Sequence, residues 1–140
     1  MSLLVFDDSA TVGRLIVRIA GLSGITATAV TDSESFAERL WTDRPSIVVL
    51  DLELGATSRV EQLRLAAEQH CTSAIVLMSG HDARVLAAAG ALGRSLGLNI
   101  DSTLKKPLRV AELEQILERL QFAALPHTGA DSGWQTRIAA

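Results

Sequence analysis

The chain has 140 residues, 48% hydrophobic and 21% charged, which is one-domain length with enough apolar content for a sizeable core. A net charge of -3, a pI near 5.5 and no cluster of Lys and Arg exclude a nucleic-acid surface. Cys71 stands alone, leaving no internal disulfide or Cys-based metal site; with no leader-like N-terminus or membrane-spanning apolar run, a cytoplasmic protein is expected.

Leu3 to Phe6 is a continuous apolar run ending in Asp7 and Asp8, and buried parallel strands read as such runs. Ser9 to Thr11 then offers a helix start. Val12, Leu15, Ile16 and Ile19 recur at helical spacing, with Arg14 and Arg18 on the other face, until Gly21 and Gly24 close the helix. Ile25 to Val30 alternates Thr with apolar residues, as a strand near an edge does. Thr31 to Glu34 carries capping chemistry for a helix containing Phe36, Leu40 and Trp41, where Phe36 and Trp41 read as core or rim packing. Arg44-Pro45 stops that helix. The next apolar run, Ile47 to Asp51, ends in a single carboxylate; Leu52 to Ser58 reads as loop and Val60 to Gln69 as helix, with Leu63, Ala66 and Ala67 inward.

The alternation repeats. Ala74 to Met78 is a strand that meets Ser79, and an alanine-rich helix runs from about Asp82 to Leu96. Its Ala87, Gly90, Ala91 and Gly93 are small enough for another backbone to approach. The two glycines cost roughly 1 kcal/mol each relative to Ala, so a fray or kink near Gly93 is expected. Ile100 to Leu104 runs into Lys105, Lys106 and Pro107. From Arg109 to Leu125, Val110, Leu113, Leu117, Leu120 and Ala124 fall at steps of three and four with Ile116 beside them, a stripe for core packing rather than a coiled-coil seam. Residues 126–140 read as a tail or linker after a folded unit of residues 1–125. Five strands alternating with five helices predict a flavodoxin-like doubly wound (βα)5 fold, α/β, with a five-stranded parallel sheet in the order 2-1-3-4-5.

That strand order places Asp7, Asp8 and Asp51 side by side beyond the carboxyl ends of the first and third strands, where open α/β sheets bind ligands. Three adjacent carboxylates repel unless a proton or cation intervenes, and an all-oxygen cluster of this size suits Mg²⁺. Asp8 and Asp51 are the expected direct metal ligands, with Asp7 holding a water and the backbone carbonyl of Glu53 completing the protein's share. A carboxylate on such a metal can attack a phosphoryl group, and Asp51, central and single, is the expected nucleophile. Lys106 and the Ser79 hydroxyl would stabilise the transferring group from other sides. A cis Lys106-Pro107 bond would aim the amine into the site.

The ordered set of Asp7, Asp8, Asp51, Ser79, Lys106 and Pro107 resembles the receiver domains of two-component response regulators, over roughly residues 2 to 122. The resemblance implies that Asp51 accepts phosphate from a sensor histidine kinase, a phosphotransfer protein or a small phosphodonor, with Mg²⁺ required. It implies a phosphorylated form that favours a second conformation and controls a downstream protein effector. Such a domain is a signalling unit rather than an enzyme, with slow autodephosphorylation at most. Val5 to Asp8 and Leu77 to Gly80, with the long fourth helix, resemble receivers that precede cyclic-di-GMP phosphodiesterase domains.

Departures are equally specific. Gly55 and Arg59 stand where receivers commonly carry Pro and Gly, and Thr103 stands where many carry a switching aromatic. The segment between Ser79 and Lys106 is about five residues longer than usual, which is assigned to an extended fourth helix and the turn Gly97 to Asn99. Glu53 and His81 occupy places that in this family line the approach to the phosphate, and tuning of hydrolysis competes with a solvated rim. A homodimer through the fourth and fifth helices is a further expectation.

Two enzyme or cofactor readings fail on residues. A haloacid-dehalogenase-type phosphatase needs a second Asp two positions after the first, and Asp7 is followed by Asp8 and Ser9. A flavodoxin would set Asp7 and Asp8 against the flavin phosphate, where free N–H groups are needed. The surviving alternative is a phosphorylation-independent pseudo-receiver, a protein–protein interaction module that keeps the fold and the acids.

Overall fold

The computed structural model describes residues 1–53, 59–80 and 83–125. Along the chain these form β1 (Ser2–Phe6), α1 (Ala10–Leu22), β2 (Thr26–Val30), α2 (Ser33–Asp43), β3 (Ile47–Asp51), α3 (Arg59–Glu68), β4 (Ala74–Ser79), α4 (Ala83–Ser95), β5 (Asn99–Lys105) and α5 (Val110–Ala124). All strand pairs are parallel, and the sheet order is β2-β1-β3-β4-β5, as the alternating pattern predicts. Among the described residues, no helix is long and apolar enough to cross a membrane.

The polar residues between strand and helix act as caps. Ser9 Oγ accepts from the Val12 N–H at 3.3 Å, and Asp32 Oδ1 accepts from the Ser35 N–H at 2.7 Å. Hydrogen bonding to Ser35 holds the Asp32 carboxyl below its ordinary value. An acid depressed in this way adds stability above its unfolded value of about 4, and that stability is lost as pH falls through the folded value. In Asp32→Asn, which can still accept from Ser35, thermal unfolding followed between pH 3 and 6 is therefore expected to depend on pH less than in the parent chain.

Side chains alternate across the sheet, as the pleat dictates. Leu4, Phe6, Val48, Leu50, Ile75 and Leu77 pack with Phe36, Leu40, Leu63 and Leu86, on the face covered by α2, α3 and α4. Leu3, Val5, Ile47, Val49, Val76 and Met78 pack on the other face with Ile16, Ile19, Leu113 and Leu117 of α1 and α5. Phe36 is core, stacked on Phe6 at 5.0 Å. Trp41 is 60% exposed, with the Arg44 guanidinium 4.4 Å over its ring. The α5 stripe is narrower than its sequence period: Leu113 and Leu117 are buried, Ile116 and Leu120 half-buried, and Val110 and Ala124 exposed.

In the fourth repeat the turn is shorter than expected and the strand after it is irregular. Gly97 does take the turn, with φ 88, but Asn99 already belongs to β5. The β4–β5 ladder also skips one residue within β5, because Ile75 pairs with Ile100 while Val76 pairs with Ser102. The inserted residue, Asp101, reverses side-chain parity, so Ile100 joins the α4 face and Leu104, four residues on, joins the α5 face.

The small residues of α4 also divide. Ala87 and Ala91 are exposed, whereas Gly90 and Gly93 are buried toward β5, and the helix runs through both to Ser95. A Cβ on Gly93 would lie 2.6 Å from Ile100 Cδ1 and 2.7 Å from its Cγ1, so the close approach serves this chain's own sheet. Gly93→Ala is expected to lose about 1 kcal/mol or more in urea unfolding, as overpacking outweighs the gain in helix propensity. In a double-mutant cycle with Ile100→Ala, which removes both crowding atoms, the loss caused by Gly93→Ala should largely disappear. A stabilised single variant would show that the contact relaxes without penalty.

Candidate functional site

The site lies where β1, β3, β4 and β5 end together, and backbone hydrogen bonds fix those ends. Leu52 N–H donates to Met78 O at 2.8 Å, which carries β3 past Asp51 alongside β4. Lys106 N–H donates to Ser79 O at 2.9 Å, tying the turn after β5 to the end of β4. The Lys106-Pro107 peptide is cis.

These constraints bring together the acids and amine that the sequence singles out. Asp7 is 1% exposed and Asp51 fully buried, whereas Asp8 is exposed. Carboxylate oxygens of Asp7, Asp8 and Asp51 all lie within 4.8 Å of one another. Lys106 Nζ reaches both inner acids, donating a hydrogen bond to Asp51 Oδ2 at 3.0 Å and lying 3.1 Å from Asp7 Oδ2. The remaining oxygens of these acids meet the backbone: Ser9 N–H donates to Asp7 Oδ1 at 2.8 Å, and Glu53 N–H donates to Asp51 Oδ1 at 3.0 Å. Both are Asx-type turns, in which an Asp side chain accepts from the N–H two residues on.

Electrostatics follow from burial. Loss of solvent pushes the Asp51 carboxyl above its ordinary value and the Asp7 charge adds to this, while the Glu53 N–H and Lys106 oppose it. Burial pulls the Lys106 ammonium down, but its hydrogen bond to Asp51 and its close contact with the Asp7 charge outweigh that and raise it. One ammonium thus serves two buried carboxylates.

The donor set fits a magnesium ion. Asp7 Oδ2 is sealed from solvent and receives no aligned hydrogen bond, because its contact with Lys106 is a charge contact only. Such an atom calls for a further positive partner. Three carboxylates supplying only oxygen, one of them at the surface, form an open cluster of the kind that Mg²⁺ occupies while keeping several waters.

The other predicted residues are placed as follows. Ser79 is fully buried at the end of β4. Glu53 is half-buried, and its carboxylate oxygens lie 3.1 and 3.2 Å from where a Gly80 side chain would begin, so it crosses to the β4 side of the site. Thr103 is exposed and pairs with Leu77. Arg59 opens α3. Gly55, His81 and residues 126–140 lie outside the described residues.

Comparison with known proteins points to one family and one fold. A family model described as the response regulator receiver domain matches residues 3–118. Among solved structures, a response regulator from Colwellia psychrerythraea is 28% identical with a TM-score of 0.76, covering 87% of this chain and 97% of that one. A signal receiver domain from Bermanella marisrubri is 22% identical with a TM-score of 0.70, covering 86% and 97%, and the chemotaxis response regulator CheY4 of Vibrio cholerae is 16% identical with a TM-score of 0.71, covering 85% and 97%. These last two speak for the fold alone. No curated protein matches. With the family match spanning most of the chain and the sheet order the same, this chain belongs to the response regulator receiver domains of two-component signalling.

Proposed function

We propose that Asp51 is the phosphoacceptor of this receiver, taking a phosphoryl group from a sensor histidine kinase or phosphotransfer protein, and that the covalent change controls a downstream protein effector. The observation that carries this reading is the placement of Lys106 Nζ between buried Asp51 and Asp7, within a cluster of three carboxylates at the end of the central strand. Residues 1–125 form the signalling unit in this reading, and 126–140 a tail or linker.

Asp7, Asp8, Asp51 and the backbone carbonyl of Glu53 would hold the Mg²⁺. A bound ion there offsets the negative charge of the acids and of an incoming phosphoryl group. In the transfer, an Asp51 carboxylate oxygen forms a bond to phosphorus as the bond from phosphorus to the donor's imidazole nitrogen breaks. The electron pair leaves with the imidazole, which takes a proton from water. Lys106 is positioned to follow the charge onto the phosphoryl oxygens, and the Ser79 hydroxyl to donate to another of them. Glu53, lying across toward Gly80, and His81 would set how readily water reaches the acyl phosphate.

Incubation of the full chain with Mg²⁺ and acetyl phosphate, followed by intact mass, tests the reading. A phosphate-sized gain that chelation of Mg²⁺ prevents is the expected result. No gain, under conditions that label a control receiver, would instead support the phosphorylation-independent interaction module.

A further inference from the structure

The irregularity in β5 is held from both sides of the sheet by two arginines that the phosphoacceptor site does not use. From α4, Arg94 Nη2 donates to the Ile100 carbonyl at 3.3 Å, and its Nη1 lies 3.5 Å from where a Gly90 side chain would begin. From α5, Arg119 grips the next residue with a fork: Nη1 to Asp101 Oδ1 at 3.1 Å and Nη2 to Asp101 Oδ2 at 2.6 Å. Consecutive residues, Ile100 and Asp101, are thus bound to helices on opposite faces, at the point where the β4–β5 ladder skips a residue. The other end of the same strand leads into Lys106, which touches Asp51.

A bulge is where a strand is least tied to its neighbour, so a small shift of β5 along its length is absorbed there. Thr103 offers no ring to carry such a shift outward. We propose that the Arg94–Ile100 and Asp101–Arg119 contacts form a clamp on β5 that favours the unphosphorylated arrangement, and through which occupancy at Asp51 reaches α4 and α5. This rests on the phosphoacceptor reading above. When Lys106 follows a phosphoryl group, β5 moves, the skip in the ladder takes up the movement, and the clamp loosens. Coupling of this kind is reciprocal: what loosens the clamp favours occupancy at Asp51. Contacts with solvent-facing arginines place the coupling at the low end of the usual range, a change of about fivefold in affinity.

The test uses the full chain with Mg²⁺ and beryllofluoride, a phosphoryl mimic, read by titration and by backbone amide NMR shifts. In the parent chain, amides at Gly93 to Asp101 and near Arg119 should move together with those around Asp51. Arg94→Met and Asp101→Asn should each tighten beryllofluoride binding, by about fivefold in the double variant, and should uncouple the shifts in α4 and α5 from those near Asp51. The exchange Asp101→Arg with Arg119→Asp should restore the parent affinity, which a merely structural effect of the substitutions would not do. Unchanged affinity in the double variant, or shifts in α4 that persist without Arg94, would overturn the clamp while leaving the phosphoacceptor reading standing. Absence of any response around Asp51 in the parent chain would overturn both.

Discussion

Asp51→Asn is expected to abolish phosphoryl uptake from acetyl phosphate while making the metal-free fold more stable at neutral pH. The first effect is chemical, because an amide oxygen cannot act as the anionic nucleophile that the transfer requires. The second follows from the geometry. Asp7 and Asp51 are both sealed from solvent and share one ammonium, and burial already pushes the Asp51 carboxyl above its ordinary value. An acid raised in the fold stabilises it only while protonated. Its contribution is present below the unfolded value of about 4 and is lost as pH rises through the folded value, so at neutral pH the ionised group opposes folding. Replacing such a charge by a neutral group of the same shape stabilises by about 1 kcal/mol. Urea unfolding with chelator at pH 7 and again near pH 4 checks the sign: the gain should shrink at the lower pH. Addition of Mg²⁺ should reverse the comparison, since ion at ten times its Kd adds about 1.4 kcal/mol to whichever chain binds it. A destabilised metal-free variant would mean that Lys106 more than compensates both acids.

Lys106→Met should separate metal binding from phosphoryl transfer. With the ammonium gone, two buried carboxylates lose their shared cation, and stability at neutral pH should fall by about 2 kcal/mol. This is less than for a sealed pair, because 22% of the Lys106 side chain meets solvent. The same change removes a positive charge that stands within 3.1 Å of two of the three acids proposed to hold Mg²⁺. Calorimetric titration should therefore show Mg²⁺ binding about tenfold more tightly than to the parent chain. Phosphorylation should nonetheless slow by about 10²-fold, the usual consequence of losing one charged donor at a developing anion. Weaker Mg²⁺ binding in this variant would show that Lys106 positions the acids rather than competing with the ion.

Most of this fold was legible because a buried parallel strand is written as an uninterrupted apolar run, and the caps after each run are local. Ser9 and Asp32 cap their helices within three residues of their own positions. The pattern failed where a residue's environment depends on distant chain. Gly93 reads locally as a weak point in a helix, yet its bareness answers to Ile100 on β5. Val110 matches the apolar period of α5 but is its first residue and is 44% exposed.

The sequence by itself determined the alternation of strands and helices and which acids and lysine stand at the strands' carboxyl ends, because right-handed crossovers make all the strands parallel and their carboxyl ends share one edge. Only the tertiary structure decided how those groups divide their charge, with a half-buried Lys106 shared between the sealed Asp7 and Asp51, since burial is set by neighbours far along the chain. It alone also revealed that β5 changes parity at Asp101. Ile100 and Leu104 are four residues apart and would face the same way in an unbroken strand, but one skipped rung in the pairing with β4 turns them to opposite cores. Hydrophobic spacing reports that both are buried; which core each one enters is settled by the hydrogen-bond ladder.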